Sequence, residues 1–204
     1  MAVYRLRSLW SRYDGRVRIA WKSLALEIQN SKPTPKNIVD VEISLMREQE
    51  PDLPIGPWKS ADWHYPVTIL PAFEALRCAA LQGDQQAWEF SWRVRKAFFD
   101  EGRCISMRHV LLDLAGESGL DVNRFRCEWD SGTARSTVLA ESQRGWDELQ
   151  VPGSPTFVLP RGRRIHNPGA VRVTWGPNQE VKNIEPPERP WSEAYREFLD
   201  EAVS

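Results

Sequence analysis

The alternation of apolar and polar positions predicts that the chain begins and ends with a helix. Residues 3–10 and Trp191–Ala202 both carry apolar side chains at the three- and four-residue spacing of an amphipathic helix. Between them, Arg16–Leu24 alternates polar with apolar residues, which predicts a strand with Val17 and Trp21 on one face. The chain is therefore expected to open with a helix followed by a strand.

Helical patterns dominate the middle of the chain. Residues 28–71 contain closely spaced prolines, which predict mostly loop with a short helix near Ile38–Glu48. Further along, Ser106 and Asp121 are predicted to cap two helices, because their side chains can accept hydrogen bonds from free backbone N–H groups. The remaining predicted helices are Pro71–Leu81, Gln85–Asp100, Met107–Ser118, a helix from Val122 onward, and Thr133–Trp146.

Two further strands are predicted near the end of the chain. Thr156–Leu159 and Val171–Trp175 have the composition of strands, and a loop containing glycine, proline and asparagine joins them. The order of elements is thus helix, strand, helical block, two strands and helix. This order predicts an α/β fold.

Length, composition and charge exclude several classes of protein. A chain of 204 residues suits one domain, or one domain with an inserted subdomain. The formal net charge of −1 argues against a nucleic-acid partner, and the densest basic run, Arg161–Arg164, is interpreted as a solvated loop. No apolar stretch reaches the ~20 residues that span a bilayer, so no membrane partner is expected. The N-terminus lacks the pattern of a secretory signal, so a cytoplasmic location is expected if Met1 is the true start.

The cysteines offer little conventional chemistry. Cys78, Cys104 and Cys127 are odd in number and far apart, so free thiols are expected. No pair has Cys-x-x-C or metal-ligand spacing, and the three histidines are isolated, so no metal site is predicted. Cys104 is the one possible reactive thiol, because Arg103 and a nearby helix start would activate it.

Four stretches of the sequence carry the pattern of a known family. They are Leu70-Pro-Ala-Phe-Glu-Ala, Phe98-Phe-Asp-Glu-Gly-Arg-Cys-Ile-Ser, Val110-Leu-Leu-Asp-Leu-Ala-Gly-Glu-Ser-Gly-Leu-Asp-Val-Asn-Arg-Phe and Val151-Pro-Gly-Ser-Pro-Thr-Phe. The first three resemble the helical insertion of the thioredoxin-like DsbA superfamily, and the fourth resembles its proline loop. The resemblance covers roughly Leu6 to Val173.

The resemblance implies an α/β thioredoxin-like fold with an inserted all-helical subdomain, and with the first strand of that fold missing. It divides the chain into an N-terminal part of the thioredoxin-like domain at residues 1–68, a helical insertion at 69–148 and a C-terminal ββα part at 149–204. In such a family the proline loop holds the backbone of an extended substrate. The expected substrate-binding residues are therefore Gly153, Ser154 and Pro155, with Ser154–Pro155 cis and Gly153 giving the turn its freedom.

The family's redox motif, however, has no counterpart in these residues. In members that exchange disulfides, a first strand leads into a Cys-x-x-C motif at the start of the first helix. In this sequence neither the strand nor the two cysteines precede the first predicted helix. No catalytic residue is therefore assigned, and one hypothesis is that the true protein starts upstream.

Three functions remain open for the chain. The first is thiol–disulfide oxidoreduction, the family activity, acting on protein thiols or disulfides. The second is a glutathione-dependent isomerase or transferase of the same superfamily, which would make glutathione the ligand. The third is a catalytically inactive binding module, with a homodimer as one possible assembly. No other cofactor is expected.

Overall fold

The computed structural model describes residues 1–177 and 180–203, which form two compact units. Unit 1 combines Met1–Ile19 with the segment that begins at Val151, and unit 2 is the continuous stretch Ala20–Gln150. The helices are α1 (Ala2–Leu9), α2 (Leu26–Asn30), α3 (Lys36–Gln49), α4 (Leu70–Ala80), α5 (Asp84–Phe99), α6 (Arg108–Glu117), α7 (Val122–Asp130), α8 (Thr133–Gln143) and α9 (Trp191–Val203). The strands are β1 (Thr156–Val158), β2 (Arg164–His166), β3 (Arg172–Trp175) and β4 (Val181–Glu185). The three-part division at residues 68 and 148 stays a prediction.

Helix α4 lies at the centre of unit 2 and packs against α5, α6, α7 and α8. Its buried face carries small side chains, including Ala75 and Cys78, which let the neighbouring helices approach closely. Larger side chains from those helices fill the space around it, and Phe90 of α5 meets Phe125 of α7 edge-on at 5.5 Å between ring centroids. Burying these apolar surfaces is what holds the helical unit together.

In the residues that the structure describes, unit 1 contains helices α1 and α9 and two separate antiparallel hairpins. Strand β1 pairs with β2, placing Thr156 opposite His166, and β3 pairs with β4. Helix α9 packs against α1 and turns Phe198 toward Phe157 of β1, with 4.6 Å between the ring centroids. The apolar stripe of α9 therefore anchors both the first helix and the first strand.

The predicted strand at Arg16–Leu24 is wrong, because the segment is irregular and no strand is described before Thr156 in residues 1–177. At the C-terminal end of this segment and just beyond it, the backbone bonds to side chains of α8 rather than to a neighbouring strand. Ser23 N donates to Glu141 Oε2 at 2.9 Å, and Ala25 N donates to Ser142 Oγ at 3.1 Å. With these N–H groups already bound, alternation of side chains alone does not make a strand.

The loop predicted between the two late strands is also partly wrong. Arg164 begins β2 rather than lying wholly in a solvated loop, although the β2 side chains at both ends are exposed. Strand β4 was not predicted at all. Both strands are short and largely polar, so their sequence lacks the apolar alternation that marks a half-buried strand.

One of the two predicted helix caps is confirmed. Asp121 caps α7 by accepting a hydrogen bond from Arg124 N at 3.0 Å. Ser106 does not cap α6, which begins after Met107. Its hydroxyl donates instead to the carbonyl of Thr68 at 2.6 Å, and so ties the α5–α6 connection to the start of α4.

Candidate functional site

The proline loop lies in unit 1 and leads directly into β1. Val151 at the start of the loop is buried, while Ser154 is exposed. The Ser154–Pro155 peptide bond is cis. The carbonyl of Pro155 accepts a hydrogen bond from Asn167 N at 2.9 Å, so the β1–β2 pairing holds the loop from its C-terminal side.

The backbone of Ser154 is left without a partner. Within residues 1–177 and 180–203, neither its N–H nor its C=O takes part in a hydrogen bond. Exposed backbone groups that lack a protein partner can be bound by water or by an incoming extended chain. The geometry thus offers one donor and one acceptor immediately before β1.

A chain of hydrogen bonds crosses from β1 to β2 beside this loop. The Thr156 hydroxyl donates to the carbonyl of Gly153 at 2.6 Å. The hydroxyl oxygen of Thr156 also lies 3.1 Å from His166 Nδ1. Sequence reasoning missed both Thr156 and His166. No sequence signal points to His166, because β2 was not predicted and its pairing with Thr156 is known only from the structure.

Gly153 lies close to a neighbouring side chain and does not use the backbone freedom of a glycine. Its φ lies outside the positive region, so the expected conformational role is wrong. A Cβ on Gly153 would lie 3.1 Å from His166 Cε1 and 3.8 Å from His166 Nε2. The imidazole edge therefore rests directly against the loop, where a larger residue would displace it.

Arg5 supports the turn that follows His166. This arginine is only 2% exposed, and its Nη1 donates to the carbonyl of Gly169 at 3.0 Å and to that of Pro168 at 3.3 Å. The guanidinium also stacks on the Trp191 ring at 5.3 Å from its centroid. A buried charge is tolerated here because carbonyl dipoles and an aromatic face compensate it.

The three cysteines all belong to unit 2 and are free. Cys78 is fully buried, and burial followed by the nearby Glu128 and Glu74 raises the pKa of its thiol to about 12. Such a thiol is almost never ionised at neutral pH, so Cys78 is structural. Cys127 is exposed on α7.

Cys104, the candidate reactive thiol, is half-buried between α5 and α6. The arginine expected to activate it is engaged elsewhere, because Arg103 Nη1 lies 2.8 Å from Glu117 Oε1 and Arg103 Nη2 lies 3.8 Å from Asp113 Oδ2. The helix start expected nearby begins later, at Arg108. A reactive role for Cys104 stays a prediction.

Aromatic side chains form a cluster in unit 2. Trp58, Tyr65 and Phe98 meet with 5.2–5.7 Å between their ring centroids. Burial, followed by the charges of Asp40 and Glu42, raises the pKa of Tyr65 to about 12. The cluster is a packing feature of the helical unit.

Neither a metal centre nor a membrane span is found in the described residues. No group of three or more histidine, cysteine, aspartate or glutamate side chains there is placed to hold an ion. None of the helices described is both long and apolar enough to cross a bilayer.

Comparison with known proteins agrees with this architecture. A family model described as thioredoxin matches residues 27–169, more than half of the chain. A solved structure from Nitrosomonas europaea, provisionally described as a protein disulfide isomerase, superposes with a TM-score of 0.63 at 16% identity, over 98% of this chain and 88% of that one. The ClpXP adapter protein SpxH of Shouchella clausii (strain KSM-K16) is 30% identical over 105 residues, which are 51% of this chain and only 33% of that protein. The chain therefore belongs to the thioredoxin family and has the DsbA-like form of the thioredoxin fold.

Proposed function

We propose that this protein binds an extended segment of another protein at the loop Gly153–Pro155. The observation that carries the proposal is the exposed Ser154, whose backbone N–H and C=O have no partner in the described part of the chain. An extended peptide aligned with Ser154 would satisfy both groups, as an added strand does at a sheet edge. Residues 156–158 continue from this point as β1, so the loop is held by a regular element.

Binding, rather than disulfide exchange, is the part of the family chemistry that these 204 residues can carry. Exchange requires a thiolate and a second thiol to resolve the mixed disulfide. Cys78 is buried with a pKa of about 12, and no two of the cysteines form a Cys-x-x-C pair. The Shouchella clausii relative is named an adapter protein, which is a binding role and supports the same proposal.

The three free thiols also bear on where such binding would take place. Exposed Cys127 and half-buried Cys104 would be oxidised over time in an oxidising compartment. We therefore place the function in a reducing compartment, where protein thiols are the common form.

The test is a binding measurement with defined peptides. An array of random eight-residue peptides is probed with the protein, and the strongest binder is labelled and measured by fluorescence anisotropy. Ser154→Pro removes the exposed N–H and should weaken binding by about 2- to 12-fold, the effect of one hydrogen bond of roughly 0.5–1.5 kcal/mol. Glu188→Pro is the matched control, because Glu188 is also exposed, lies in unit 1 and donates no backbone hydrogen bond.

N-methylation of the bound peptide gives an independent check. Methylating alternate amides should weaken binding in one register only, since successive residues of an extended chain face opposite directions. The proposal would be refuted if Ser154→Pro bound the peptide as tightly as the wild type does, and if the wild type bound the methylated and unmethylated peptides equally well. Thermal melts of both proline variants establish that they remain folded.

A further inference from the structure

We propose that His166 is a specificity-determining residue of this loop, and that its Nε2 accepts a hydrogen bond from a side-chain donor of the bound segment. The donor would be a hydroxyl, a thiol or an amide N–H. This inference rests on the proposed function, because it names a chemical feature of the segment that the loop binds.

The argument begins with the direction of one hydrogen bond. The carbonyl oxygen of Gly153 can only accept, so the 2.6 Å contact with Thr156 Oγ1 places the hydroxyl proton of Thr156 between these two oxygens. A threonine hydroxyl has one proton. Toward His166, 3.1 Å away, the same oxygen can therefore only accept.

This direction fixes the tautomer of the neutral imidazole. The proton between His166 and Thr156 must sit on Nδ1, because Thr156 Oγ1 has none left to give. In the neutral ring, Nε2 then carries a lone pair and no proton. It is an acceptor, and His166 is exposed.

The acceptor is close to the loop that the proposed function uses. His166 Nε2 lies 3.8 Å from the position that a Cβ on Gly153 would take. Ser154 is the next residue, and consecutive Cα atoms are about 3.8 Å apart. A segment paired with the Ser154 backbone therefore passes within reach of a side-chain contact to Nε2.

The surrounding structure holds the ring in this position. His166 pairs with Thr156 across the hairpin, and the next residue donates its N–H to the Pro155 carbonyl at 2.9 Å. Beyond it, Arg5 binds the carbonyls of Pro168 and Gly169. A residue whose backbone is fixed on both sides can discriminate between ligands without reorganising.

The experiment compares two variants of His166 that separate its two nitrogens. In His166→Asn the side-chain amide nitrogen occupies the place of Nδ1 and can still donate to Thr156, but nothing replaces Nε2. In His166→Gln the amide oxygen reaches the place of Nε2 and can accept, but the bond to Thr156 is lost. Both are measured against the array peptide with serine, alanine or O-methylserine at each position in turn.

At one peptide position the wild type should bind the serine peptide about 2- to 12-fold more tightly than the alanine or O-methylserine peptides. His166→Asn should lose this preference, and His166→Gln should keep part of it. If His166 only supports the loop, the ranking reverses: His166→Asn binds normally, while His166→Gln binds all three peptides weakly.

The outcomes separate the two proposals. No binding of any peptide by the wild type overturns the proposed function, and this inference with it. Binding without any preference for serine overturns the inference alone. A long-range proton–nitrogen correlation spectrum of the free protein adds a test without ligand: neutral His166 should carry its proton on Nδ1, and a proton on Nε2 would overturn the inference.

Discussion

The hydroxyl of Tyr13 donates a 2.9 Å hydrogen bond to Asp200 Oδ1, although 187 positions separate these residues in the sequence. Tyr13 is completely buried, and Asp200 lies on the exposed side of α9. Burial, and then the bond to Asp200, raise the pKa of Tyr13 above its ordinary value of 10.0. The contact thus ties the two ends of the chain together within unit 1.

Replacing Tyr13 by phenylalanine should lower the free energy of unfolding by about 1 kcal/mol at neutral pH. Because the folded-state pKa of Tyr13 is raised, its contribution is fully present below pH 10 and is lost as the pH rises through the folded-state pKa. Urea titrations at pH 8 and above pH 10 should therefore show the difference between wild type and variant shrinking. A difference that stays constant with pH would contradict this assignment.

The thiols should react in a fixed order with a water-soluble disulfide reagent at pH 8. Cys127 is exposed and should react first, and Cys104 is half-buried and should follow more slowly. With a pKa of about 12, the thiolate fraction of Cys78 at pH 8 is on the order of 10⁻⁴, and its side chain is buried. Cys78 should react only after denaturation. In Cys78→Ala, the one equivalent of thiol that becomes reactive on denaturation should be missing, and the other two thiols should react as before.

Glu74 should be the most costly carboxylate to remove from unit 2. It is 3% exposed, and it accepts hydrogen bonds of 2.8 Å from Trp129 Nε1 and from Arg135 Nε. Glu74→Ala leaves the buried indole N–H unpaired and should cost about 1–3 kcal/mol. The control variant Asp130→Ala should cost less than about 1 kcal/mol, because its ion pair with Arg108 is exposed on both sides, at 58% and 43%. Equal costs in urea unfolding would show that the indole bond is unimportant.

Alanine substitutions at Gly162 and Gly169, which both have positive φ, should differ in cost because only the second also causes a steric clash. Gly162→Ala should cost about 1–2 kcal/mol, because φ is +84° but no atom lies within 4 Å of the new Cβ. Gly169→Ala meets the same strain at φ +64°, and its Cβ would also lie 2.6 Å from Trp191 Cβ. Overpacking should add about 1–3 kcal/mol to its cost. Thermal melts of both variants check this, and equal melting temperatures would contradict the clash.

The helices were largely predictable, because their apolar residues repeat with the period of a helix. The predicted segment Gln85–Asp100 corresponds to α5 at Asp84–Phe99, and the segment near Ile38–Glu48 corresponds to α3 at Lys36–Gln49. Small shifts at the ends are expected, since helix ends depend on caps. The predicted membership of a thioredoxin-like family is confirmed by the match over residues 27–169.

The strands and the site were harder to predict, because both depend on partners far away in the sequence. Arg16–Leu24 has the alternation of a strand, but side chains of α8 bind its backbone. His166 gives no local signal, and its position becomes meaningful only once the hairpin places it opposite Thr156. Gly153 was predicted to supply backbone freedom, but its φ is not positive, and its close neighbour, the His166 imidazole, lies on another strand.

The discontinuous course of unit 1 has a consequence for how the protein is made. Unit 2 is one uninterrupted stretch that is synthesised before Val151 is added, and such units can fold as they emerge from the ribosome. Helix α1 is synthesised before unit 2, yet its packing partner α9 is synthesised after it. The buried side chains of Val3, Leu6 and Tyr13 therefore gain their contacts with α9 only after the whole of unit 2 has been synthesised.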